Sequence, residues 1–297
     1  MEQNTAKSSI NWYPGHMTKA KRAMLEDIKL IDLVIELVDA RIPMSSRNPD
    51  IDRMAAGKAR LILLNKSDLA DGAKNAEWVK YFTEKGAHVL KIDSRNKADM
   101  KAVSAVIAEA CKEKKERDRK RGIINRPVRA MVAGIPNVGK STFINSFAGR
   151  VCAKTGNKPG VTKGKQWIRL NKDVELLDTP GILWPKFDDA AVGIHLAFIG
   201  SVNDNIIDLT QLAAELAEFL NREYPKALSE RYGEAAVGDK AGLLGAIAKA
   251  RGCLKKGGEL DYDKAAVMLL EDFRSGKLGR ITIEAPEDYE KEANVCD

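Results

Sequence analysis

One glycine-rich segment has the composition and spacing of a phosphate-binding loop. The stretch Gly134-Ile-Pro-Asn-Val-Gly-Lys-Ser141 fits the pattern G-x-x-x-x-G-K-[ST] and lies between an apolar β-branched run and a helical pattern. Glycines let backbone N–H groups curl around phosphate oxygens, Lys140 adds a charge for the β and γ phosphates, and the hydroxyl of Ser141 is a ligand for Mg²⁺. The segment predicts a nucleoside triphosphate site; an ordinary strand-to-helix turn is the alternative.

A second polar segment selects the base. Asn65-Lys-Ser-Asp68 follows an apolar run ending at Leu64, so it is expected at the carboxyl edge of the sheet, where α/β folds bind ligands. The carboxylate of Asp68 can accept hydrogen bonds from both N1–H and the 2-amino group of guanine, and adenine has no such pair of donors on that edge. The base is therefore predicted to be guanine, although the four residues alone also suit a turn.

Two later segments complete a metal and γ-phosphate site. Asp178-Thr-Pro-Gly181 ends another apolar run, which predicts that Asp178 lies opposite Ser141 and holds the Mg²⁺ shell, while the N–H of Gly181 senses the γ-phosphate. Upstream, Thr162 is the threonine of a flexible loop and is expected to bind Mg²⁺ and the γ-phosphate. A plain β-turn is the alternative for the Asp178 segment.

The elements that must position these residues follow an α/β pattern. Strands are predicted for the apolar runs Asp32–Val38, Arg60–Leu64, His88–Ile92, Val128–Ala133, Gln166–Leu170 and Val174–Leu177. Helices are predicted over Thr18–Ile31, Ala73–Lys85, Ala98–Lys115, Lys140–Phe147, Asn205–Tyr224, Ala241–Leu254 and Asp263–Arg274. Because the strand pattern stops near Gly200, we expect a nucleotide-binding domain over 1–200 and a smaller helical domain over 201–297.

Composition limits the class of protein. The chain has 297 residues and a net charge of +7, which suits a folded protein with its own core and permits a polyanionic partner. Without a run of roughly 20 apolar residues or an apolar leader, it is expected to be a cytoplasmic protein that uses no membrane. The four cysteines are widely spaced and match no metal-binding pattern.

The order of the motifs points to a family. The chain resembles the translation-factor-related GTPases, but the guanine-selecting segment comes first, the base-supporting Asp93 and Ser94 second, and the phosphate-binding loop afterwards. It thus looks like a circularly permuted GTPase, and most closely like the ribosome biogenesis GTPase A family. Further similarity lies in Trp12–Met17, Val38–Pro43, Ser45–Pro49, Leu177–Pro185 and Lys249–Cys253. The resemblance implies a doubly wound, mostly parallel P-loop sheet with an all-α C-terminal domain.

The resemblance also implies a function and a site. It implies GTP hydrolysis to GDP during late maturation of the large ribosomal subunit, stimulated by the particle, with rRNA and ribosomal proteins as partners. The catalytic residues would be His16, Lys140 and Thr162, and the metal ligands Ser141, Thr162 and Asp178. Asn137 is associated with K⁺. The predicted nucleotide contacts are Asn65, Lys66, Ser67, Asp68, Asp93, Ser94, Asn137, Val138, Gly139, Lys140, Ser141, Thr142 and Gly181.

Alternatives stay open for several of these features. His16 also fits a packing role, and Asn137 fits a turn before a helix. Arg41 and Arg47 could neutralise charge, but loop arginines more often form ion pairs. The basic run Lys112–Arg121 suits a solvated helix end as well as a polyphosphate-facing patch. For the whole chain, the competing functions are a P-loop phosphotransferase and an RNA-binding assembly scaffold with a structural nucleotide. The oligomeric state is expected to be monomeric.

Overall fold

The computed structural model describes residues 25–124, 126–152, 166–170, 173–178, 190–234 and 242–293. Six strands form one sheet, as the sequence predicts, with boundaries that shift by at most one residue. They are β1 Leu33–Asp39, β2 Ala59–Asn65, β3 His88–Lys91, β4 Val128–Ala133, β5 Gln166–Arg169 and β6 Val174–Asp178. The spatial order is β3-β2-β1-β4-β6-β5, and every neighbouring pair is parallel except β5 with β6.

The strand order changes direction at the centre of the sheet. From β1 the chain moves outward through β2 to β3, and it then returns to place β4 on the other side of β1. Such a reversal opens a crevice at the carboxyl ends of the two central strands, where open α/β sheets bind their ligands. The phosphate-binding loop follows β4 and therefore borders this crevice.

The central strands of the sheet are buried on both faces, which explains why they are mostly apolar runs. In β1, Leu33, Ile35 and Leu37 face one hydrophobic cluster, whereas Val34 and Val38 face two others. A strand alternates its side chains between the two faces of a sheet, so a strand covered on both sides has no polar face.

Helices cover both faces of the sheet and form the C-terminal region. They are α1 Asp50–Met54, α2 Gly72–Glu84, α3 Lys97–Ala110, α4 Lys112–Lys120, α5 Lys140–Ala148, α6 Ala190–Phe198, α7 Leu209–Glu223, α8 Pro225–Tyr232, α9 Leu243–Ala250, α10 Tyr262–Ser275 and α11 Pro286–Ala293. Within the described ranges, no helix is both long and apolar enough to cross a bilayer.

Some helix boundaries differ from the sequence-based ones for local reasons. The helix predicted to begin at Asn205 begins at Leu209, because the side chain of Asp208 accepts hydrogen bonds from the N–H groups of Thr210 and Gln211 and so caps it. The helix predicted over Ala98–Lys115 is two helices that meet at Cys111. Of the helix predicted over Thr18–Ile31, residues 18–24 lie outside the described residues.

The C-terminal helices pack around one apolar seam. Leu212, Leu216 and Leu220 of α7 are buried together with Leu269 and Phe273 of α10. The seam is continuous with the cluster on one face of the sheet. Among the described residues this cluster includes side chains from both the sheet and the C-terminal helices, and the domain boundary near residue 200 stays a prediction.

After α10 the chain returns to the sheet through the segment Leu278–Ala285, which is neither helix nor strand and which the sequence did not predict. Backbone N–H groups of Ile281 and Ile283 donate to the carbonyls of Leu69 and Arg41, at 3.0 and 2.8 Å. The indole N–H of Trp78 in α2 donates to the carbonyl of Glu284 at 3.2 Å. The segment thus joins the end of the chain to the loops that follow β1 and β2.

Glu284 fixes this segment through buried hydrogen bonds. Its carboxylate, in a residue that is 2% exposed, accepts from the backbone N–H groups of Met44 at 2.7 Å and Ser45 at 3.0 Å. One carboxylate oxygen also lies 3.0 Å from Nδ1 of His195 in α6. A single acidic side chain therefore holds together the loop after β1, α6 and the C-terminal segment.

We predict that Glu284→Gln lowers the free energy of unfolding by about 1–3 kcal/mol, because an amide nitrogen would face buried donors. Urea denaturation measures the change. Glu287→Gln, at an exposed position in α11, is the matched control and should change nothing. Equal stability of Glu284→Gln and the unsubstituted chain would contradict the assigned role.

Candidate nucleotide site

Three polar segments meet at the carboxyl edge of the sheet, although they are far apart along the chain. Residues 65–68 follow β2, residues 93–95 follow β3, and residues 134–141 join β4 to α5. Because β1, β2, β3 and β4 are parallel, all three segments emerge on the same side. This is the arrangement that the sequence predicted.

The loop before α5 has the backbone of a phosphate cradle. Gly139 has φ 100°, and a Cβ atom there would lie 2.5 Å from Nδ2 of Asn65. At Gly134, a Cβ atom would lie 2.7 Å from the carbonyl oxygen of Leu37. Glycine is therefore required at both positions, by close packing and at Gly139 also by backbone conformation.

Lys140 begins α5 and folds back over the same loop. Its ammonium group donates to the carbonyls of Gly134 at 3.0 Å and Ile135 at 3.1 Å, and the residue is 8% exposed. Ser141 and Thr142 follow in the first turn, where backbone N–H groups have no helical partner and the helix dipole favours an anion. The cradle, the ammonium group and the Ser141 hydroxyl together fit a phosphate chain with its metal ion.

The side chain of Asn65 connects all three segments. Its Nδ2 donates to the carbonyl of Val138 at 2.7 Å. Its Oδ1 accepts from both the backbone N–H and the hydroxyl of Ser94, at 3.1 and 2.7 Å. The candidate phosphate-binding loop and the segments predicted to flank the base are thus fixed relative to one another by one buried amide.

Lys66 makes a second link to the phosphate-binding loop. Its ammonium group donates to the carbonyl of Asn137 at 2.9 Å and pairs with Asp39 at 2.9 Å. Burial lowers the pKa of Lys66, and the Asp39 carboxylate offsets part of that effect. Burial alone would raise the pKa of Asp39, but Arg41 and Lys66 hold it well below its usual range. The buried charges therefore stabilise one another.

Asn137 and Lys66 both adopt left-handed backbone conformations, with φ 60° and 58°, and they are the non-glycine residues with positive φ in the part of the chain that is described. The side-chain N–H₂ of Asn137 donates to the carbonyl of Gly200 at 2.6 Å. Such backbone conformations are costly and tend to occur at functional sites. Asn137 therefore lies in a turn before α5, which is one of the two roles that the sequence allows for it. Its amide oxygen is the atom that would bind a cation.

At the base end, Asp68 is held by an arginine that the sequence reasoning missed. Nη2 of Arg95 lies 2.7 Å from Oδ2 of Asp68, and the same guanidinium binds Asp93. Oδ1 of Asp68 is buried and has no hydrogen-bond partner among the described residues. Ser67 connects to the neighbouring strand, since its N–H donates to the carbonyl of Ile92 at 3.1 Å. The sequence signal that could have found this contact is an arginine two positions after Asp93, in a segment expected near Asp68, the predicted base-selecting residue.

Comparison with known proteins agrees with this geometry. A family model described as 50S ribosome-binding GTPase matches residues 129–231. The ribosome biogenesis GTPase A of Bacillus cereus is 48% identical over 281 residues, covering 94% of this chain and 95% of that protein. The corresponding protein of Bacillus licheniformis is 46% identical, covering 94% and 99%. The chain belongs to the ribosome biogenesis GTPase A family.

A solved structure supports the fold of this GTPase. GNP-bound YlqF from T. maritima is 28% identical, with a TM-score of 0.62, and the match covers 91% of this chain and 99% of that one. Family membership confirms the predicted enzyme class, so the protein hydrolyses GTP to GDP and phosphate. The mostly parallel sheet, the permuted motif order and the helical C-terminal region are likewise confirmed.

Arg41 and Arg47 form ion pairs in this GTPase, as is more common for loop arginines. Nε and Nη2 of Arg41 each donate to Asp39 at 2.8 Å, and its guanidinium lies 5.2 Å from the ring centroid of Phe273 in α10. Arg47 pairs with Glu36 at 3.0 Å and with Asp52 at 2.7 Å. Arg41 thereby connects Asp39, at the carboxyl end of β1, to the helical region.

Several predicted site residues of the GTPase lie outside the described residues. They are His16, Thr162 and Gly181. For Asp178 the backbone is described: it ends β6 and pairs in register with Val132 of β4, one strand position from the phosphate-binding loop. Its assignment as a metal ligand stays a prediction, as do those of the other three residues.

We predict that Gly139→Ala weakens GTP binding by about tenfold or more, since the new methyl group would push Asn65 away from Val138 and lose at least one good hydrogen bond. Gly149→Ala is the matched control, because Gly149 also has positive φ, 68°, but a Cβ atom there meets nothing within 4 Å. Fluorescent-nucleotide titration gives both affinities. Equal affinities in the two variants would contradict the required close packing.

Proposed function

We propose that this GTPase is a molecular switch for a late step in maturation of the large ribosomal subunit. It would act as a monomer in the cytoplasm, bind rRNA and ribosomal proteins of the subunit precursor, and hydrolyse GTP faster on that particle. The observation that carries the proposal is the pair of hydrogen bonds from the Asn65 side chain to Val138 and Ser94. In a chain of this family, they link the phosphate-binding loop to the segments that would select guanine. The names of the relatives supply the ribosomal context.

In the proposed site, each group of the chain has a separate task. Lys140 and the N–H groups at the start of α5 neutralise and orient the phosphates, and Asn65, Lys66 and Asp68 orient guanine. Ser141, Thr162 and Asp178 would hold Mg²⁺, which supplies positive charge to the transferring phosphate oxygens. Asn137 would offer its amide oxygen to K⁺, a second positive charge at the transition state.

Hydrolysis by this chain needs a group to orient the attacking water, and that group must come from outside the position after the DxxG segment. Many GTPases place a glutamine directly after the DxxG segment, and here that residue is Ile182, which cannot bond to water. Intrinsic turnover should therefore be slow. We propose that His16 supplies the missing contact to the attacking water when the particle orders the surroundings of the site.

The helical region has direct contacts through which it would sense the nucleotide. The carbonyl of Gly200 accepts from Asn137 in the phosphate-binding loop. Arg274 of α10 donates to the carbonyls of Ala197 and Phe198 at the end of α6, at 2.7 and 2.9 Å, and pairs with Asp204 at 2.7 Å. A change at the phosphates would thus reach the end of α6 through Asn137 and Gly200, and α10 through Arg274.

Two basic surfaces are the proposed RNA contacts. Helix α4 carries the predicted basic run, and none of its residues is buried. A second group lies at and after the end of α9: Lys249, Arg251, Lys255 and Lys256. Within that group Arg251 also donates to the carbonyl of Arg231 at 2.7 Å and Lys255 lies 3.8 Å from Asp263, so Lys249 and Lys256 are the exposed charges best suited to phosphates.

The experiment is GTP turnover with and without large-subunit and small-subunit particles, in K⁺ and in Na⁺. We expect slow basal turnover that rises only with large-subunit particles and K⁺. A phosphotransferase would instead phosphorylate an added acceptor, and a scaffold would turn over nothing. His16→Ala should bind GTP normally and lose stimulated turnover by about 100-fold, within the range of a general acid–base contribution. Lys140→Ala, expected to lose tight GTP binding, is the inactive control.

Normal stimulated turnover in His16→Ala would return His16 to a packing role. Stimulation by small-subunit particles alone would contradict the proposed partner. Equal rates in K⁺ and Na⁺ would remove the cation assignment of Asn137 and leave the other assignments standing.

Asp68→Asn tests the base assignment separately. An amide offers one donor and one acceptor, which matches the 2-oxo group and N1–H of xanthine better than the two donors of guanine. We expect weaker GDP binding and tighter xanthosine diphosphate binding, measured by competition titration. An unchanged preference for guanine would show that residues 65–68 do not contact the base.

A further inference from the structure

Arg95 contacts two carboxylates at the base end of the site. Its Nη2 lies 2.7 Å from Oδ2 of Asp68, in the segment after β2. Its Nε lies 2.9 Å from Oδ1 of Asp93, in the segment after β3. The guanidinium therefore bridges two loops that follow neighbouring parallel strands.

The position of Arg95 is set by its own loop and not by Asp68. Besides the Nε contact, its backbone N–H donates to Oδ1 of Asp93 at 2.9 Å and its Nη2 donates to Oδ2 at 3.0 Å. The N–H of Asp93 in turn donates to Asp99 at 2.7 Å. The arginine lowers the pKa of Asp93, so this anchor stays charged at neutral pH. Although the side chain is 68% exposed, it is held in one place.

The carboxylate of Asp68 is used unequally. Oδ2 accepts from Arg95, whereas Oδ1 is buried and has no hydrogen-bond partner among the residues described. A buried oxygen without a donor is unfavourable and is usually explained by a ligand or another function. A carboxylate has about four lone-pair positions, so the contact with Arg95 leaves Oδ1 and one position on Oδ2 for other donors.

We infer that Arg95 is a positioning residue for guanine recognition: it holds the Asp68 carboxylate in the orientation that accepts from both N1–H and the 2-amino group. This rests on the proposed role of Asp68 as the base-selecting residue. The planar guanidinium suits the task because its donors are fixed in one plane and contact Asp93 and Asp68 at once, whereas the donors of a lysine ammonium group rotate on a flexible stem. Ser94, next to Arg95, ties the same loop to Asn65.

The test compares binding of GDP and inosine diphosphate, which lacks the 2-amino group, to Arg95→Ala and Arg95→Lys. A carboxylate that is free to rotate can still accept one hydrogen bond from inosine, but it loses the paired arrangement for guanine. In Arg95→Ala we expect GDP affinity to fall roughly fivefold, the size of a good exposed ion pair, with a smaller loss for inosine diphosphate. Arg95→Lys should behave more like Arg95→Ala than like the unsubstituted chain.

The matched control is Arg53→Ala. Arg53 is an exposed arginine in α1 that pairs with Asp50 at 2.9 Å, away from the base-flanking loops, and it is 78% exposed. Its removal should leave both affinities unchanged. Thermal unfolding of every variant confirms that the fold is retained, which we expect because both arginines are on the surface.

Three results would overturn the inference. They are unchanged GDP affinity in Arg95→Ala, tighter GDP binding, and an equal loss for both nucleotides. Asp68→Asn, measured in parallel, separates this inference from the proposed function. If that variant loses the preference for GDP over inosine diphosphate while Arg95→Ala keeps it, only the role of Arg95 is wrong. If neither variant changes the preference, the assignment of Asp68 itself is wrong.

Discussion

The buried amide of Asn65 joins three segments of the nucleotide site that no local stretch of chain connects. Its two ends are satisfied by Val138 on one side and Ser94 on the other, so moving either loop would leave a buried polar group without a partner, at about 1–3 kcal/mol. The same contact requires glycine at position 139, since any larger residue would occupy the space of the amide. The phosphate-binding loop and the segments proposed to select the base are therefore fixed to one another.

The permuted order of the motifs determines which other parts of the chain contact the segments joined by Asn65. The base-flanking loops come early, and the segment Leu278–Ala285 returns from the helical region to pack on the loops after β1 and β2 through Ile281, Ile283 and Glu284. At the other side of the site, Asn137 bonds to Gly200. The C-terminal part of the chain thus contacts both the phosphate-binding loop and the loops after β1 and β2, and these are the contacts on which the proposed switch would act.

Sequence alone predicted those parts of the structure that depend on local pattern. The strands were found because burial on both faces requires continuous apolar runs, and the P-loop because its spacing is tied to its geometry. The segment Leu278–Ala285 was missed because it has no periodicity and because most of its partners, in residues 40–78, lie more than 200 residues away. Arg95 and the buried contacts of Glu284 were missed because contacts between loops depend on sheet order and packing, which appear only once the strands are assembled.

The most direct measurement is a crystal structure of the chain with a non-hydrolysable GTP analogue and Mg²⁺. We expect one nucleotide at the carboxyl edge of the sheet, with both oxygens of Asp68 within hydrogen-bonding distance of the guanine N1 and 2-amino nitrogens, and with Lys140 on the β and γ phosphates. Asn65 should keep its contacts with Val138 and Ser94. A purine bound away from residues 65–68, or a triphosphate bound away from α5, would contradict the convergence of the three segments on one GTP.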